Sequence, residues 1–185
     1  MKELSLHILD LVQNSIKAGA TEIKIKVIED LVADQMKILI VDDGKGISDE
    51  FLEEVLDPFT TTRTTRKVGL GLPLFQAAAE QCSGGLNISS KEGEGTKVKA
   101  TFQHSHIDRA PLGDIEETIA TIIQGNPNLE IYYRHVINDE EFLFATSDFR
   151  KRLEEVPLDE PEVLSFIKEY LSENIEKLKQ QNYKD

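Results

Sequence analysis

Hydrophobic residues recur at two different periods in the first third of the chain, and the change of period separates a predicted helix from predicted strands. Apolar residues between residues 4 and 16 follow the spacing of a helix that is buried on more than one side. Gly19 is the expected residue just after that helix ends. From Thr21 to Ile28, isoleucine and valine alternate with charged residues, which predicts a half-buried strand with Met36 to Val41 as its hairpin partner.

The next predicted elements are a short helix, a longer helix and a second hairpin. Ser48 is the expected N-cap of a helix that ends before Pro58. A helix over Leu72 to Ser83 ends at two glycines, and a hairpin of Leu86 to Ser90 with Thr96 to Phe102 follows. These elements predict an α/β fold of the α+β kind, a two-layer sandwich whose mixed, mostly antiparallel sheet carries helices on one face.

The chain after His104 is predicted to form a small α/β appendage. Ala110, Pro111 and Gly113 mark a boundary in the sequence. The predicted elements beyond it are a helix capped by Asp114, a hairpin of Glu130 to Ile137 with Glu141 to Thr146, a helix capped by Ser147, and a last helix containing Val163 to Leu178. We therefore expect one domain at residues 1–104 and a region of unknown role at residues 105–185.

Composition and charge limit the functions that the chain can have. The 185 residues are 39% hydrophobic, which is enough for a folded core. The net charge is −13, with 12 basic and 16 acidic residues through His104 and 9 basic and 18 acidic residues after it. The acidic second part argues against nucleic-acid binding there. No apolar run suits a membrane span or a signal peptide, so we expect a cytoplasmic protein that does not insert into a membrane.

The sequence VDDGKGI, from Val41 to Ile47, is the strongest candidate for ligand recognition. Asp42 stands at the end of a predicted strand, where its carboxylate can accept a hydrogen bond from an exocyclic amine such as that of adenine. Gly44 and Gly46 leave room for the backbone to approach a ligand closely. The alternative is a polar turn in which Asp43 and Gly44 supply a positive φ angle.

Two polar residues of the first predicted helix form a second candidate group. Asp10 and Asn14 are four residues apart and therefore share one face of that helix. An Asn side-chain oxygen is a hard, neutral ligand of the kind that Mg²⁺ accepts, and a carboxylate one turn earlier can orient or deprotonate a water. The alternative is that both residues lie on an exposed polar stripe.

The stretch DPFTTTRTTRKVGLGLPLF has the composition of a phosphate-binding lid. The hydroxyls of Thr60 to Thr62 and the charges of Arg63, Arg66 and Lys67 can donate to phosphates. Gly69 and Gly71 precede the predicted helix from Leu72, whose N-terminus offers free N–H groups and the positive end of the helix dipole. A basic, threonine-rich loop can also simply be solvated.

Taken in order, HILDLVQNSIKAGAT, VDDGKGI, DPFTTTR, VGLGLPLF and GEGTKV resemble the sequence boxes of the GHKL ATPases. This family includes histidine kinases, type II topoisomerases, mismatch-repair ATPases and a class of heat-shock chaperones. The resemblance covers roughly Met1 to Gln103. It implies the GHKL, or Bergerat, ATP-binding fold, with ATP and Mg²⁺ as ligands.

The resemblance also implies roles for individual residues. Asn14 corresponds to the magnesium ligand, and Asp10 to a general base that is a glutamate in the mismatch-repair members. Thr96 corresponds to a threonine whose hydroxyl supports the adenine-binding aspartate. The implied nucleotide-binding residues are Asp42, Gly44, Gly46, Thr61, Thr62, Arg63, Gly69, Leu70, Gly71, Leu72 and Thr96.

Three functional hypotheses follow from this resemblance. The first is an ATP-binding module that couples binding, slow hydrolysis or phosphoryl transfer to an unidentified protein partner in signalling. His7 lacks the neighbours of a phosphoacceptor motif, so we do not expect a self-contained sensor kinase. The second is a non-catalytic, ATP-dependent regulator like the anti-sigma members of the family. The third is a mismatch-repair-like ATPase that forms a homodimer on ATP, which the short lid and acidic tail disfavour.

Overall fold

The computed structural model describes residues 2–56 and 71–183 and contains helices and strands in alternating groups. In chain order they are α1 (Leu4–Lys17), β1 (Glu22–Asp30), β2 (Gln35–Asp42), α2 (Asp49–Leu56), α3 (Gly71–Gln81), β3 (Gly85–Lys91), β4 (Gly95–Gln103), α4 (Ile115–Gly125), β5 (Glu130–Ile137), β6 (Glu140–Ala145), α5 (Thr146–Leu153) and α6 (Pro161–Asn182). The predicted helices and hairpins before His104 are confirmed, with boundaries that shift by a few residues. Gly19 follows α1 with a φ of 79°, as predicted for that position.

The six strands of the described residues form one sheet in the order β3-β4-β2-β1-β5-β6. Neighbouring strands are antiparallel except β1 and β5, which run parallel. The mixed, mostly antiparallel sheet predicted from the sequence is therefore confirmed. Its central strands are β2 and β1, and β2 ends at Asp42, so the carboxylate singled out in the sequence lies at the end of a central strand.

One face of the sheet is apolar, and the helices cover it. Ile25 lies opposite Ile40 of β2 and Tyr133 of β5, and all three side chains are buried. Helix α3 packs on β3 and β4, α1 contacts β2, and α5 and α6 pack on β5 and β6. Because side chains alternate along a strand, the residues between the buried ones point to the opposite face. Those residues are exposed or half-buried throughout β1 and β2.

The region after residue 104 extends the same sheet. Strand β5 pairs with β1 from Glu22↔Glu130 to Glu29↔Ile137, so the predicted appendage supplies two of the six strands. Helix α4 packs on α1 and α6, which joins the two regions on the helical face as well. The division at residues 104 and 105 as a domain boundary stays a prediction, since the strands on both sides of it share one sheet.

Two helix caps predicted for this region have different outcomes. Asp114 caps α4 as predicted, because its Oδ1 accepts a 2.8 Å hydrogen bond from the Glu117 amide. The prediction for Ser147 is wrong, since α5 begins one residue earlier, at Thr146. The buried Thr146 hydroxyl accepts a 2.9 Å bond from the Ile131 amide of β5 and so fixes the start of the helix.

None of the described helices combines the length and the hydrophobicity that a membrane span needs.

Candidate functional site

A cavity of about 680 Å³ lies between α1, the end of β2 and the turn that joins β3 to β4. Its apolar wall includes Leu11 of α1, Ile40 of β2 and Phe51 of α2. Polar side chains from the same elements face it, among them Asn14, Asp42 and Lys45. A concave, mainly apolar cavity with a few converging polar groups is the usual form of a small-molecule site.

Asp42 is a buried carboxylate that hydrogen bonds hold in one orientation. It is the last residue of β2 and is only 8% exposed. Its Oδ2 accepts a 2.6 Å bond from the Ser15 hydroxyl of α1, and its Oδ1 accepts a 2.9 Å bond from the Gly44 amide. Each carboxylate oxygen can accept a further bond, so Asp42 can still recognise a donor on a ligand. The predicted ligand-recognising position is therefore placed in the cavity wall.

The neighbouring Asp43 has a structural role instead. Its Oδ1 accepts bonds from the amides of Thr21 (2.7 Å) and Glu22 (2.8 Å), and its Oδ2 accepts a 2.6 Å bond from the Thr21 hydroxyl. Although partial burial alone would raise the pKa of the Asp43 carboxyl, these hydrogen bonds lower it below its usual range. Asp43 thus ties the turn after β2 to the start of β1.

Close contacts leave no room for a side chain at Gly46 and little room at Gly44. A Cβ at Gly46 would lie 2.1 Å from the Lys91 carbonyl oxygen, and the φ of Gly46 is +71°. A Cβ at Gly44 would lie 3.0 Å from Oδ1 of Asp42 and 3.1 Å from the Ala18 carbonyl oxygen. Glycine therefore lets the turn pack against both the Asp42 carboxylate and the neighbouring hairpin.

Backbone and hydroxyl hydrogen bonds join this turn to its surroundings. The Lys45 amide donates to the Ala18 carbonyl at 2.9 Å, and the Lys45 carbonyl accepts from Gly93 at 2.7 Å. The Ile47 amide donates to the Ser90 hydroxyl at 2.8 Å. The turn is consequently fixed on one side to the end of α1 and on the other to the β3–β4 hairpin.

Helix α1 and the start of α3 form the other end of the site. Asn14 and Leu72 line the cavity, and a Cβ at Gly71 would lie 3.2 Å from the Asp10 Cβ and 3.9 Å from Nδ2 of Asn14. Asp10 and Asn14 therefore share the face of α1 that meets the N-terminus of α3. Asp10 is exposed, however, and within the described ranges it is not among the cavity-lining residues; neither is Gly44.

Thr96 lines the cavity but does not make the contact that the family resemblance implied. Its Oγ1 shares a 2.8 Å hydrogen bond with Ser90, whose hydroxyl also donates to the Gly95 carbonyl at 2.9 Å. The hydroxyl that reaches Asp42 is that of Ser15. Ser90 lies opposite Thr96 on the paired strand, which explains why the two hydroxyls meet.

Some site residues were predicted and others were missed. Thr61, Thr62, Arg63, Gly69 and Leu70 lie outside the described residues. Sequence reasoning missed Ser15, Ser90, Lys45 and Phe51. Ser15 directly follows Asn14 in the helix, but a serine on a largely apolar helix gives no local signal that its hydroxyl faces a strand end 27 residues later.

The histidines that follow β4 belong to a different part of the structure. The spacing of His104 and His106 is compatible with metal binding, but two histidines without a third ligand nearby more often belong to a polar linker. Nε2 of His104 lies 2.8 Å from Glu29 of β1, whereas Nδ1 of His106 accepts from the Asp108 amide. Within the part of the chain that the structure describes, no three His, Cys, Asp or Glu side chains are grouped to hold a metal ion.

Comparison with known proteins adds family membership to this geometry. The family model described as "Histidine kinase-, DNA gyrase B-, and HSP90-like ATPase" matches residues 2–106. The non-motile and phage-resistance protein of Caulobacter vibrioides is 33% identical over 111 residues, which cover 55% of this chain and 13% of that protein. The autoinducer 2 sensor kinase/phosphatase LuxQ of Vibrio cholerae is 35% identical over 100 residues, covering 50% of this chain and 12% of LuxQ.

The sensor histidine kinase ZraS of Escherichia coli is 33% identical over 93 residues, covering 50% of this chain and 20% of ZraS. The chain thus spans no more than a fifth of the length of these three relatives. Among solved structures, the MutL ATPase domain of Aquifex aeolicus complexed with ADP aligns with a TM-score of 0.47 and 16% identity, covering 84% of this chain and 68% of that one.

The family model covers more than half of the chain, and the matched residues contain the cavity, Asp42 and the glycine turn. The chain therefore belongs to the histidine kinase-, DNA gyrase B- and HSP90-like ATPases, an ATP-binding, kinase-like class.

Proposed function

We propose that this chain binds Mg-ATP and couples nucleotide binding, slow hydrolysis or phosphoryl transfer to a protein partner in signalling. The observation that carries the proposal is the buried Asp42 carboxylate, held by Ser15 and Gly44 at the wall of a cavity of about 680 Å³. An oriented carboxylate in an apolar wall can accept a hydrogen bond from the exocyclic amine of adenine. Leu11, Ile40 and Phe51 supply apolar surface for the base.

The residues at the other end of the cavity fit a magnesium-bound triphosphate. Asn14 faces the cavity, and its side-chain oxygen is the neutral, hard ligand that Mg²⁺ accepts. When bound, the metal would neutralise phosphate charge. The first turn of α3 begins beside Asn14 at Gly71, and Lys17 and Lys45 add positive charge elsewhere in the cavity wall. Asn14 and the N-terminus of α3 would bind and orient the phosphates.

A thermal unfolding experiment tests nucleotide binding. A ligand present at 100 times its dissociation constant stabilises the folded state by about 2.7 kcal/mol, which raises the unfolding midpoint by roughly 5 to 10 °C for a chain of this size. We expect this shift with Mg-ATP for the natural chain, and we expect Asp42→Asn to lose it. Asp49→Asn, an exposed carboxylate of α2, is the matched control and should keep it. No shift with any adenine nucleotide would contradict the proposal.

The exposure of Asp10 supports a second candidate function, a non-catalytic regulator in which ATP orders a partner-binding surface. A general base needs to hold a water against the phosphate, and Asp10, although it lies beside Gly71, is exposed and is not among the cavity-lining residues of the described chain. Phosphate release by the natural chain and by Asp10→Asn separates the two functions. Release that falls by 10²-fold or more in Asp10→Asn supports hydrolysis, since general-base catalysis contributes about that much. If the natural chain releases no phosphate but keeps the thermal shift with Mg-ATP, the result supports the non-catalytic regulator.

A further inference from the structure

The face of the sheet that points away from the helices, which we call the open face, has an ordered pattern of lysines and aliphatic residues. On β1 it presents Lys24 and Lys26, on β2 Lys37, Leu39 and Val41, and on β4 Lys97 and Lys99. The described side chains of these three strands that point to this face are all exposed or half-buried, and the Lys24 side chain is 57% exposed. The open face is therefore accessible within the described part of the molecule.

Strand register places four of these lysines in two rows, on β1 and β4, on either side of an aliphatic strip on β2, and Lys37 lies on β2 itself. Leu39 lies opposite Lys26 on one side and Lys99 on the other. Val41 lies in the same way between Lys24 and Lys97. Neighbouring strands are about 4.8 Å apart, so the β1 and β4 rows are separated by about 10 Å. Leu39 and Val41 form the floor between the two rows.

Most of this positive charge is not neutralised by neighbouring carboxylates. Lys24 pairs with Glu22 at 2.8 Å, and Arg134 pairs with Glu141 at the β5–β6 side of the open face. Among the described residues, Lys26, Lys37, Lys97 and Lys99 form no ion pair. The whole chain has 34 acidic residues and a net charge of −13, so a group of unpaired lysines on one face departs from the charge of the rest of the protein.

We propose that the open face docks an acidic amphipathic helix of a partner protein. An α-helix with its side chains is about 10 to 12 Å wide, which matches the separation of the two lysine rows. The apolar stripe of such a helix would cover Leu39 and Val41, and carboxylates on both flanks would reach Lys24 and Lys26 on one side and Lys97 and Lys99 on the other. This proposal rests on the proposed function in one respect: the open face is the surface on which the protein partner of that function would dock.

The same pattern disfavours nucleic acid as the ligand. Single-stranded nucleic acids bind sheet surfaces by stacking bases on aromatic side chains. The aromatic residue of the described open face is Tyr132, on β5 at the margin of the lysine rows, while the floor between the rows is aliphatic. A net charge of −13 also repels a polyanion at long range. A short acidic helix is repelled by the net charge as well. Its apolar stripe, however, can be buried against Leu39 and Val41, which a phosphate backbone cannot do.

A synthetic peptide tests the proposal on the full chain. The probe is a fluorescently labelled, acetylated peptide of about 20 residues with leucines at helical i, i+3 and i+7 spacing and glutamates on both flanks. We expect binding that weakens as salt is raised, since exposed charges are screened. A peptide of the same composition with scrambled leucine positions is the control for amphipathic shape. We expect it to bind at least tenfold more weakly, because it lacks the apolar stripe.

Two double substitutions with the same change of net charge locate the binding surface. Lys26→Glu with Lys99→Glu removes one lysine from each row, and we expect at least a tenfold loss of peptide affinity from the added like-charge repulsion. Lys151→Glu with Lys177→Glu changes exposed lysines on α5 and α6 and should leave the affinity within about twofold. The Mg-ATP thermal shift is measured on the same samples, so failure of nucleotide binding and failure of docking are told apart.

Several results would overturn the proposal. These are no peptide binding at millimolar concentration, equal binding of the scrambled peptide, or equal losses in the two double variants. Tighter binding of a 20-nucleotide single-stranded RNA or of phosphatidylserine vesicles through Lys26 and Lys99 would assign the surface to those ligands instead. Concentration-dependent self-association that Lys26→Glu with Lys99→Glu abolishes would assign it to a second copy of the chain.

Discussion

Ser15 is the hydroxyl that controls the orientation of Asp42. The 2.6 Å bond from Ser15 Oγ to Asp42 Oδ2 connects α1 to the end of β2, and the same hydroxyl lies 3.2 Å from the Leu11 carbonyl. A carboxylate that is oriented before the ligand arrives loses less conformational freedom on binding. Ser15 therefore acts as a positioning residue for the proposed adenine contact.

We predict that Ser15→Ala weakens Mg-ATP binding without abolishing it. Positioning one side chain on binding costs about 0.5 to 1.5 kcal/mol when it is not oriented beforehand, which corresponds to a roughly 2- to 13-fold higher dissociation constant. Isothermal titration calorimetry on the natural chain and the variant measures the two dissociation constants for Mg-ATP. Ser89→Ala removes an exposed hydroxyl from the open face and should bind as the natural chain does. Equal affinities for Ser15→Ala and the natural chain would show that Ser15 does not position Asp42.

A pair of glycines separates the effect of backbone conformation from that of crowding. Gly46 and Gly93 both have positive φ angles, 71° and 82°. A Cβ at Gly46 would overlap the Lys91 carbonyl, whereas a Cβ at Gly93 has nothing within 4 Å.

We predict that Gly93→Ala lowers the free energy of unfolding by about 1 to 2 kcal/mol, the cost of a left-handed conformation. Gly46→Ala should cost about 1 to 3 kcal/mol more, from the overlap. Urea unfolding curves measure both; equal losses would mean that the turn moves freely away from the hairpin.

At the scale of elements, the Glu29 side chain connects two strands, the segment after β4 and the end of α6. Its Oε1 lies 2.7 Å from Nε2 of His135 on β5, and its Oε2 lies 2.8 Å from Nε2 of His104. The Tyr183 hydroxyl donates to the same Oε2, and the buried Tyr133 hydroxyl contacts Nδ1 of His135 at 2.9 Å. Burial alone would raise the pKa of the Glu29 carboxyl, but the bonds from His135, Tyr183 and His104 outweigh it and lower the pKa to about 2.

We predict that Glu29 makes stability depend on acid pH. The pKa of its carboxyl falls from 4.5 to about 2 on folding, so the stabilisation is fully present above about pH 4.5 and is lost as the pH falls towards 2. The full effect is on the order of 3 kcal/mol. The free energy of unfolding, measured between pH 7 and pH 2.5, should therefore fall less steeply in Glu29→Gln than in the natural chain. Glu53→Gln, an exposed control on α2, should follow the natural chain. Parallel curves for Glu29→Gln and the natural chain would contradict the prediction.

At the scale of the whole molecule, the two halves of the chain share both the sheet and the helical layer. Strand β1 pairs with β2 from the first half and with β5 from the second, and α4 packs on α1. The cavity lies on the helical side of the sheet, and the proposed docking surface lies on the opposite side. Both use β2, because Asp42 and Ile40 face the cavity while Leu39 and Val41 belong to the open face.

We predict that the full chain unfolds in one transition and that the segment 1–104 alone is much less stable. Without β5, strand β1 becomes a free edge, and apolar residues of β1 and α1 lose partners from the second half. We expect the thermal midpoint of the fragment to lie at least about 10 °C below that of the full chain, measured by circular dichroism. A fragment with a midpoint within a few degrees of the full chain would establish residues 1–104 as an independent domain.

Local patterns in the sequence were sufficient for the elements and for much of the site. The alternation in β1 and β2, Gly19 after α1 and the turn after Asp42 depend on neighbouring residues, so they can be predicted from short stretches. The spacing of Asp10 and Asn14 placed both on one face of α1, and the structure agrees. The roles of Thr61, Thr62, Arg63, Gly69 and Leu70 stay predictions, since they lie outside the described residues.

Only the tertiary structure decided which distant residues meet. The parallel pairing of β1 with β5 joins residues 108 positions apart, and no local pattern encodes a partner at that distance. The same applies to the Ser15 hydroxyl on Asp42, to Glu29 with its histidines, and to the two lysine rows, which depend on the strand order β4-β2-β1. The sequence by itself determined the hydrophobic period of the elements, the turns and the family boxes, because these depend on neighbouring residues. Strand order and register depend on burying every apolar face at once. They determined the orientation of the Asp42 carboxylate and the charge pattern of the open face.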